Sequence, residues 1–129
     1  MAIEIKPVLV NKLEFNIHGT TLEMRYNDEI LKKITTSDFK VMSLTEKLSF
    51  EKNKDKSPGE IKKKVIQLYD DIKKERIAFF DDVFGEGVGE ALYKQCNNST
   101  TALTSIFDQI KWSIERLAQF NEELTQEES

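Results

Sequence analysis

Two long apolar stripes, separated by a glycine-rich corner, set the tightest limit on what this chain can fold into. The first follows "SPGE". Here Ser57 stands as N-cap, Pro58 takes the first helical position, and Glu60 falls three residues after the cap. Ile61, Val65, Leu68, Ile72, Phe79 and Val83 then recur at steps of three, four and seven, and Tyr69, Phe80 and Phe84 widen the face. That spacing predicts one helix of about 27 residues, about 40 Å long. The second stripe runs through Leu103, Phe107, Ile110, Ile114, Leu117 and Leu124, flanked by Ile106 and Trp112. It predicts a helix over residues 100–124, with Ser99 as its N-cap. Neither face is stable in water alone, so the two helices should fold back on each other.

The corner between them reads "VFGEGVGEALYKQC", residues 83–96. Glycines at every second position beside carboxylates raise the question of a phosphate-binding loop. A dinucleotide fingerprint needs a strand, then Gly-x-Gly-x-x-Gly, then a helix. This run instead ends a helix, its third glycine (Gly89) comes one position early, and Glu86 and Glu90 would repel a phosphate. It reads as a helix stop, with Gly85 in a left-handed C-terminal cap. A connector of about two helical turns follows, carrying Val88, Leu92 and Cys96 on one side, and "NNST" closes it.

Upstream, "KLEFNI" and "TLEMRY" alternate apolar and polar residues on either side of "HGT", a β-hairpin signal with Gly19 able to supply positive φ. "EIKPVLV" can add a short strand, which Pro7 would confine to an edge. Asn27 or Asp28 can cap a short helix over "EILKKI". "SDFKVMSLTEKLSFEK" carries Phe39, Met42, Leu44, Leu48 and Phe50 on a looser helical face that residues 52–56 interrupt. The expected fold is α+β, mainly α: an N-terminal β-hairpin packed on a C-terminal bundle of amphipathic helices. It forms one domain over 1–129, with a hairpin region (1–27), a helical middle (28–56), the long-helix pair (57–124, corner at 85–89) and a frayed acidic tail (125–129).

Composition narrows the function. The chain of 129 residues has 19 basic and 23 acidic side chains, a net charge of −4. Nucleic-acid affinity rests on neutralising phosphates, so this balance disfavours it, and the lysine-rich stretch 51–64, interleaved with acids, reads as a solvated linker and helix start. One cysteine, Cys96, and one histidine, His18, preclude an internal disulfide and a thiolate or imidazole metal cluster. "MAIEIKPVLV" lacks the pattern of a secretion signal, and no apolar run approaches the ~20 residues of a membrane span. A soluble cytoplasmic chain is expected.

Catalysis finds little support. His18 falls in the hairpin turn and reads as solvated. Cys96 reads as a buried, inert thiol whose only basic neighbour in sequence, Lys94, points elsewhere. The pairs Asp70–Asp71 and Asp81–Asp82 diverge by about 100° on a helix and read as solvated faces. No catalytic, cofactor-binding or metal-ligating residue is assigned. What remains is contact. Phe79, Phe80, Phe84, Tyr93, Phe107 and Trp112 are the candidate partner-binding residues, an aromatic cluster beside a glycine corner, suited to holding another protein's apolar segment.

Taken together, "KLEFNIHGTTLEMRYND", the phrase "FFDDVFGEGVGEALY" and the closing "LTSIFDQIKWSIERL" resemble the small tail assembly chaperones of long-tailed bacteriophages and phage-like elements of Gram-positive hosts. The likeness spans nearly the whole chain and is most specific over residues 80–92. It implies a non-enzymatic protein of the host cytoplasm that binds the tape-measure protein, shields its apolar helices and recruits tail-tube (major tail) subunits; self-association is instead an expectation from the aromatic cluster, as a patch that other copies could cover. The likeness also implies that a chain ending in "EELTQEES" is the short product where a frameshift makes a longer one. The family has no catalytic residues to transfer. The rival reading is a structural head–tail connector, or another helical oligomeric phage protein, retained in the particle. A third is a small regulator binding nucleic acid through residues 52–64.

Overall fold

The computed structural model describes residues 2–5 and 12–128, with side chains over 2–5, 12–49 and 52–117. Two strands, β1 (Lys12–Ile17) and β2 (Thr20–Arg25), pair antiparallel, with Leu13 opposite Met24 and Phe15 opposite Leu22. The two-residue turn between them puts both His18 (φ 51°) and Gly19 (φ 79°) in the positive-φ region, as a turn that follows the natural strand twist requires. Leu13, Phe15, Ile17, Leu22 and Met24 share the covered face, whereas Lys12, Glu14, Asn16, Glu23 and Arg25 face outward. On the outer face the Lys12 ammonium lies 3.0 Å from Glu23. Of the strand suggested by "EIKPVLV", residues 6–10 lie outside the described residues, and residues 4–5 are not in a strand.

Asn27 is the N-cap of α1 (Asp28–Glu46); its Oδ1 accepts from the Ile30 N–H at 3.0 Å. The sequence led us to expect a short helix and then a looser one. A single helix of 19 residues forms instead, because Ile30, Ile34 and Ser37 continue one buried line across "TTSD". Its register also differs from the expected face: Phe39 and Met42 point outward, while Leu44 and Leu48 are partly buried. A one-turn helix, α2 (Phe50–Asn53), leads to α3 (Pro58–Phe84). The start of α3 is as expected, with Pro58 in the first turn and Ser57 Oγ accepting from the Glu60 N–H at 3.3 Å.

At the corner, Gly85 has φ 127° and ψ 154°, a conformation open essentially to glycine but not the left-handed cap expected there. Gly87, at φ 87° and ψ −12°, takes the left-handed position and opens α4 (Val88–Gln95). Asn97 and Asn98, both at φ near 57°, then turn the chain, and Ser99 Oγ accepts from the Ala102 N–H at 3.1 Å to cap α5 (Thr100–Glu128). Helix α5 continues through Glu128, past the end expected at residue 124, as residues of high helix propensity (Leu, Gln, Glu) allow.

Helix α5 runs back along α3, as the two stripes require. Helix α1, whose place the sequence left open, lies antiparallel to α3, with Lys33 near Asp82 and, further along α1, Ser37 near Arg76. The core gathers Met24 from the hairpin, Ile30 and Ile34 from α1, Phe79 and Phe80 from α3, Leu92 from α4, and Leu103, Phe107, Ile110 and Ile114 from α5. Each such side chain contributes roughly 1.5–3 kcal/mol on burial. The core is lopsided. Ile61, Val65, Leu68 and Ile72, in the first half of α3, are only partly buried, and Ile66 and Tyr69 are exposed.

Candidate interaction surface

The six aromatic residues singled out in the sequence separate into three groups. Phe79, Phe80 and Phe107 are 4%, 0% and 0% exposed, so they do not form the open patch expected of them. Phe79 meets Phe80 edge-on at 5.4 Å and Phe107 edge-on at 4.9 Å, an arrangement that aromatic quadrupoles favour. They are covered because α1 and the hairpin pack over the corner end of α3, contacts between residues far apart in sequence. Phe84 and Tyr93 are partly buried. Phe84 stacks on Phe80 and meets Phe15 of the hairpin edge-on, and Tyr93 carries the Lys73 ammonium 4.7 Å from its ring centre. Only Trp112 stands in the open, at 53% exposure.

Other side chains join it at the surface. Phe39 and Met42 of α1 are 67% and 62% exposed, and Ile66 and Tyr69 of α3 are 54% and 55% exposed. Sequence reasoning assigned Phe39 and Met42 to a packed face, because they look apolar at helical spacing. The missed signal was Ser37, whose small polar side chain holds the core position beside them. Scattered apolar residues are ordinary on a protein surface; these five are large and lie on three separate helices.

The stripe of α3 skips from Ile72 to Phe79, and Arg76 occupies the missing step. Its side chain is 1% exposed. The guanidinium lies 3.6 Å from the Phe107 ring centre, and Nη1 donates to Ser37 Oγ at 3.0 Å, while Nε has no partner. Burial pushes its pKa down, and the charges of Asp108, Asp38 and Glu75 oppose that shift. Nearby, Lys111 of α5 donates to Asp38 of α1 at 3.3 Å. Arg76 therefore ties the three long helices together.

Of the acidic pairs, Asp70 and Asp82 are exposed, as a solvated face requires, but Asp81 and Asp82 also make contacts that the sequence reading did not include. Asp81 Oδ1 accepts from the Gly89 N–H at 2.7 Å, which supplies the N-terminal cap that Gly87 cannot give α4. Asp82 pairs with Lys33 at 3.3 Å, and Lys33 also reaches Glu29 at 3.3 Å. Burial alone would lower the Lys33 pKa, but the two carboxylates outweigh it and hold it above the ordinary lysine value. Asp71 accepts from Gln67 at 2.9 Å. Among the described residues no group of three or more His, Cys, Asp and Glu side chains is placed to hold a metal ion.

Cys96 is 8% exposed, and its Sγ lies 4.0 Å from Nε2 of His18, a neighbour that the sequence did not reveal. Burial pushes the thiol up, so the folded chain holds this proton above the pH at which an unfolded chain releases it. The resulting stability is fully present below the ordinary thiol pKa and is lost as pH rises through the raised value. At mildly alkaline pH, Cys96 of the folded chain should react with a disulfide reagent at least about tenfold more slowly than in strong denaturant. Equal rates would show that the thiol is accessible.

The geometry defines a class: a mainly helical α+β protein with a hairpin cap, a tight core at one end and apolar side chains on its outer faces. No protein-family model matches the sequence, and neither a curated protein nor a solved structure is significantly similar to it. No helix among the described residues is long and apolar enough to cross a membrane.

Proposed function

We propose that this chain is a non-enzymatic tail assembly chaperone of a bacteriophage or phage-like element, acting in the host cytoplasm on tape-measure and tail-tube proteins. The observation that carries the reading is the set of large exposed apolar side chains, Phe39, Met42, Ile66, Tyr69 and Trp112, on a strongly charged helical scaffold. A protein that shields long apolar helices needs adhesive patches on a well-hydrated exterior. The likeness over residues 80–92 supports the same reading. Here "FFDDVF" ends α3 and "GEGVGEALY" turns the chain into α4.

The test is co-expression with a tape-measure protein and a tail-tube protein, scored by the soluble yield of the tape-measure protein and by co-purification. A clear gain in both is expected. No gain, or recovery of the chain in finished particles by mass spectrometry, would overturn the reading, the second outcome in favour of a retained structural component.

Trp112 offers a sharper check. Because nearly half of the residue is covered within the chain, Trp112→Ala should lower folding stability by about 1–2 kcal/mol, well short of the loss of a fully buried ring. If it anchors a partner, the same change should weaken association by about 2 kcal/mol, roughly thirtyfold. Titration calorimetry beside urea unfolding separates the two effects, and unchanged affinity would remove Trp112 from the surface.

A further inference from the structure

A second feature lies away from these aromatic residues. Between the C-terminal end of α1, α2 and the first half of α3 lies a groove of about 280 Å³. Leu44, Leu48 and Leu68 form its floor, and Lys47, Lys52 and Lys64 stand around it. All three leucines are partly buried, so the floor is neither closed by the fold nor fully wet. The groove is built rather than incidental. Asn53, 7% exposed, donates from Nδ2 to the carbonyls of Lys47 and Ser49 and accepts from the Lys64 ammonium at 2.9 Å. That single amide fixes the turn between α1 and α2 and aligns one lysine of the rim. Lys52 leans toward Glu46 at 3.8 Å, and Asp71, at the far end, is engaged by Gln67.

Charge makes this end distinct. Residues 47–64 contain seven lysines and three acids, a net charge of +4 in a chain whose total is −4. The rest of the chain is therefore strongly acidic, and three of these lysines, Lys47, Lys52 and Lys64, line the groove. The α3 lining runs from Lys64 to Asp71, about 10 Å along the helix at ~1.5 Å per residue, which is room for two turns of a docked helix.

We propose that this groove docks an acidic amphipathic helix of a partner protein, with apolar side chains on the three leucines and carboxylates toward the lysine rim. Helices dock in such grooves through anchors at i, i+3 or i+4, and i+7, and a charged rim sets orientation and the rate of encounter. The apolar floor favours a helix over a nucleic acid, whose phosphates would use the lysines and leave the leucines uncovered. The inference goes beyond the tail-assembly reading and does not depend on it.

The test uses the full chain and a fluorescein-labelled synthetic peptide of helical design, with leucines at i, i+3 and i+7 and glutamates on both flanks. Fluorescence anisotropy at physiological salt reads binding. Binding in the micromolar range is expected, weakened at least tenfold by Lys47→Glu with Lys52→Glu. Both positions are exposed, and circular dichroism would confirm that this variant folds as the parent does. A peptide with its leucines changed to serine should also bind at least tenfold more weakly. The proposal fails if the glutamate peptide does not bind, if the serine version binds equally well, or if the charge-reversed variant binds as tightly as the parent. It fails in favour of a nucleic-acid site if labelled single-stranded DNA binds more tightly than the peptide and loses affinity in the same variant.

Discussion

Replacing Phe107 with alanine is expected to lower folding stability by about 3–5 kcal/mol, the range for deleting a fully buried aromatic ring. The ring is 0% exposed, meets Phe79 edge-on, and forms the floor beneath the Arg76 guanidinium. Its removal leaves a cavity and also strips a buried cation of the face on which it lies. Domains of this size have stabilities of about 5–15 kcal/mol, so a loss of this size is a large fraction of the whole. Urea unfolding followed by far-ultraviolet circular dichroism would show a large fall in midpoint. A midpoint within experimental error of the parent would mean that α5 does not pack on α3 through this residue.

Gly89→Ala should be comparably damaging for a different reason. A Cβ at this position would stand 2.8 Å from the Ile77 Cα and closer still to the Ile77 carbonyl oxygen. Those are backbone atoms of α3, which cannot swing aside as a side chain would. The two helices must part, and the Gly89 N–H, which donates to Asp81, moves with them. Overpacking of a core costs typically 1–3 kcal/mol, and a backbone clash should fall at or above the top of that range. Gly59→Ala provides the contrast. Gly59 lies in the first turn of α3, where an added methyl would meet open space, and alanine should stabilise the helix there by up to about 1 kcal/mol. If both variants unfold at the parent's midpoint, the close approach of α4 to α3 is wrong.

What could be read from the sequence was local. Ser57, Pro58 and Glu60 identify the start of α3 through chemistry confined to four residues, and the structure begins the helix there. The hairpin was legible for the same reason, since period-two alternation and a two-residue turn need no distant partner. The register of α1 was not legible, because Ser37 holds a core position that its polarity disguises, and its partner, Arg76, lies 39 residues away. Arg76 falls inside the seven-residue step from Ile72 to Phe79, where spacing alone does not mark it as buried. The approach of Ser37 and Phe107, with the nearby charges of Asp108, Asp38 and Glu75, makes burial of that charge tolerable. The aromatic cluster was misjudged on the same grounds. Helical spacing gathers Phe79, Phe80 and Phe107 on apolar faces, but which faces remain open depends on where α1 and the hairpin settle. The role of Asp81 followed the same pattern, since an acid on one helix caps the next only after the corner has folded.

The uneven distribution of buried side chains along α3 divides the molecule into an anchor and a tip. Amides near Phe79 and Phe80 lie under the hairpin, α1, α4 and α5, and their exchange with deuterated solvent should require global opening. Amides between Ile61 and Tyr69 belong to the same continuous helix but have far less apolar cover, so they should exchange through smaller local openings. A helix held firmly at one end and more lightly covered at the other can adjust its lighter half to a partner without dismantling the hairpin end.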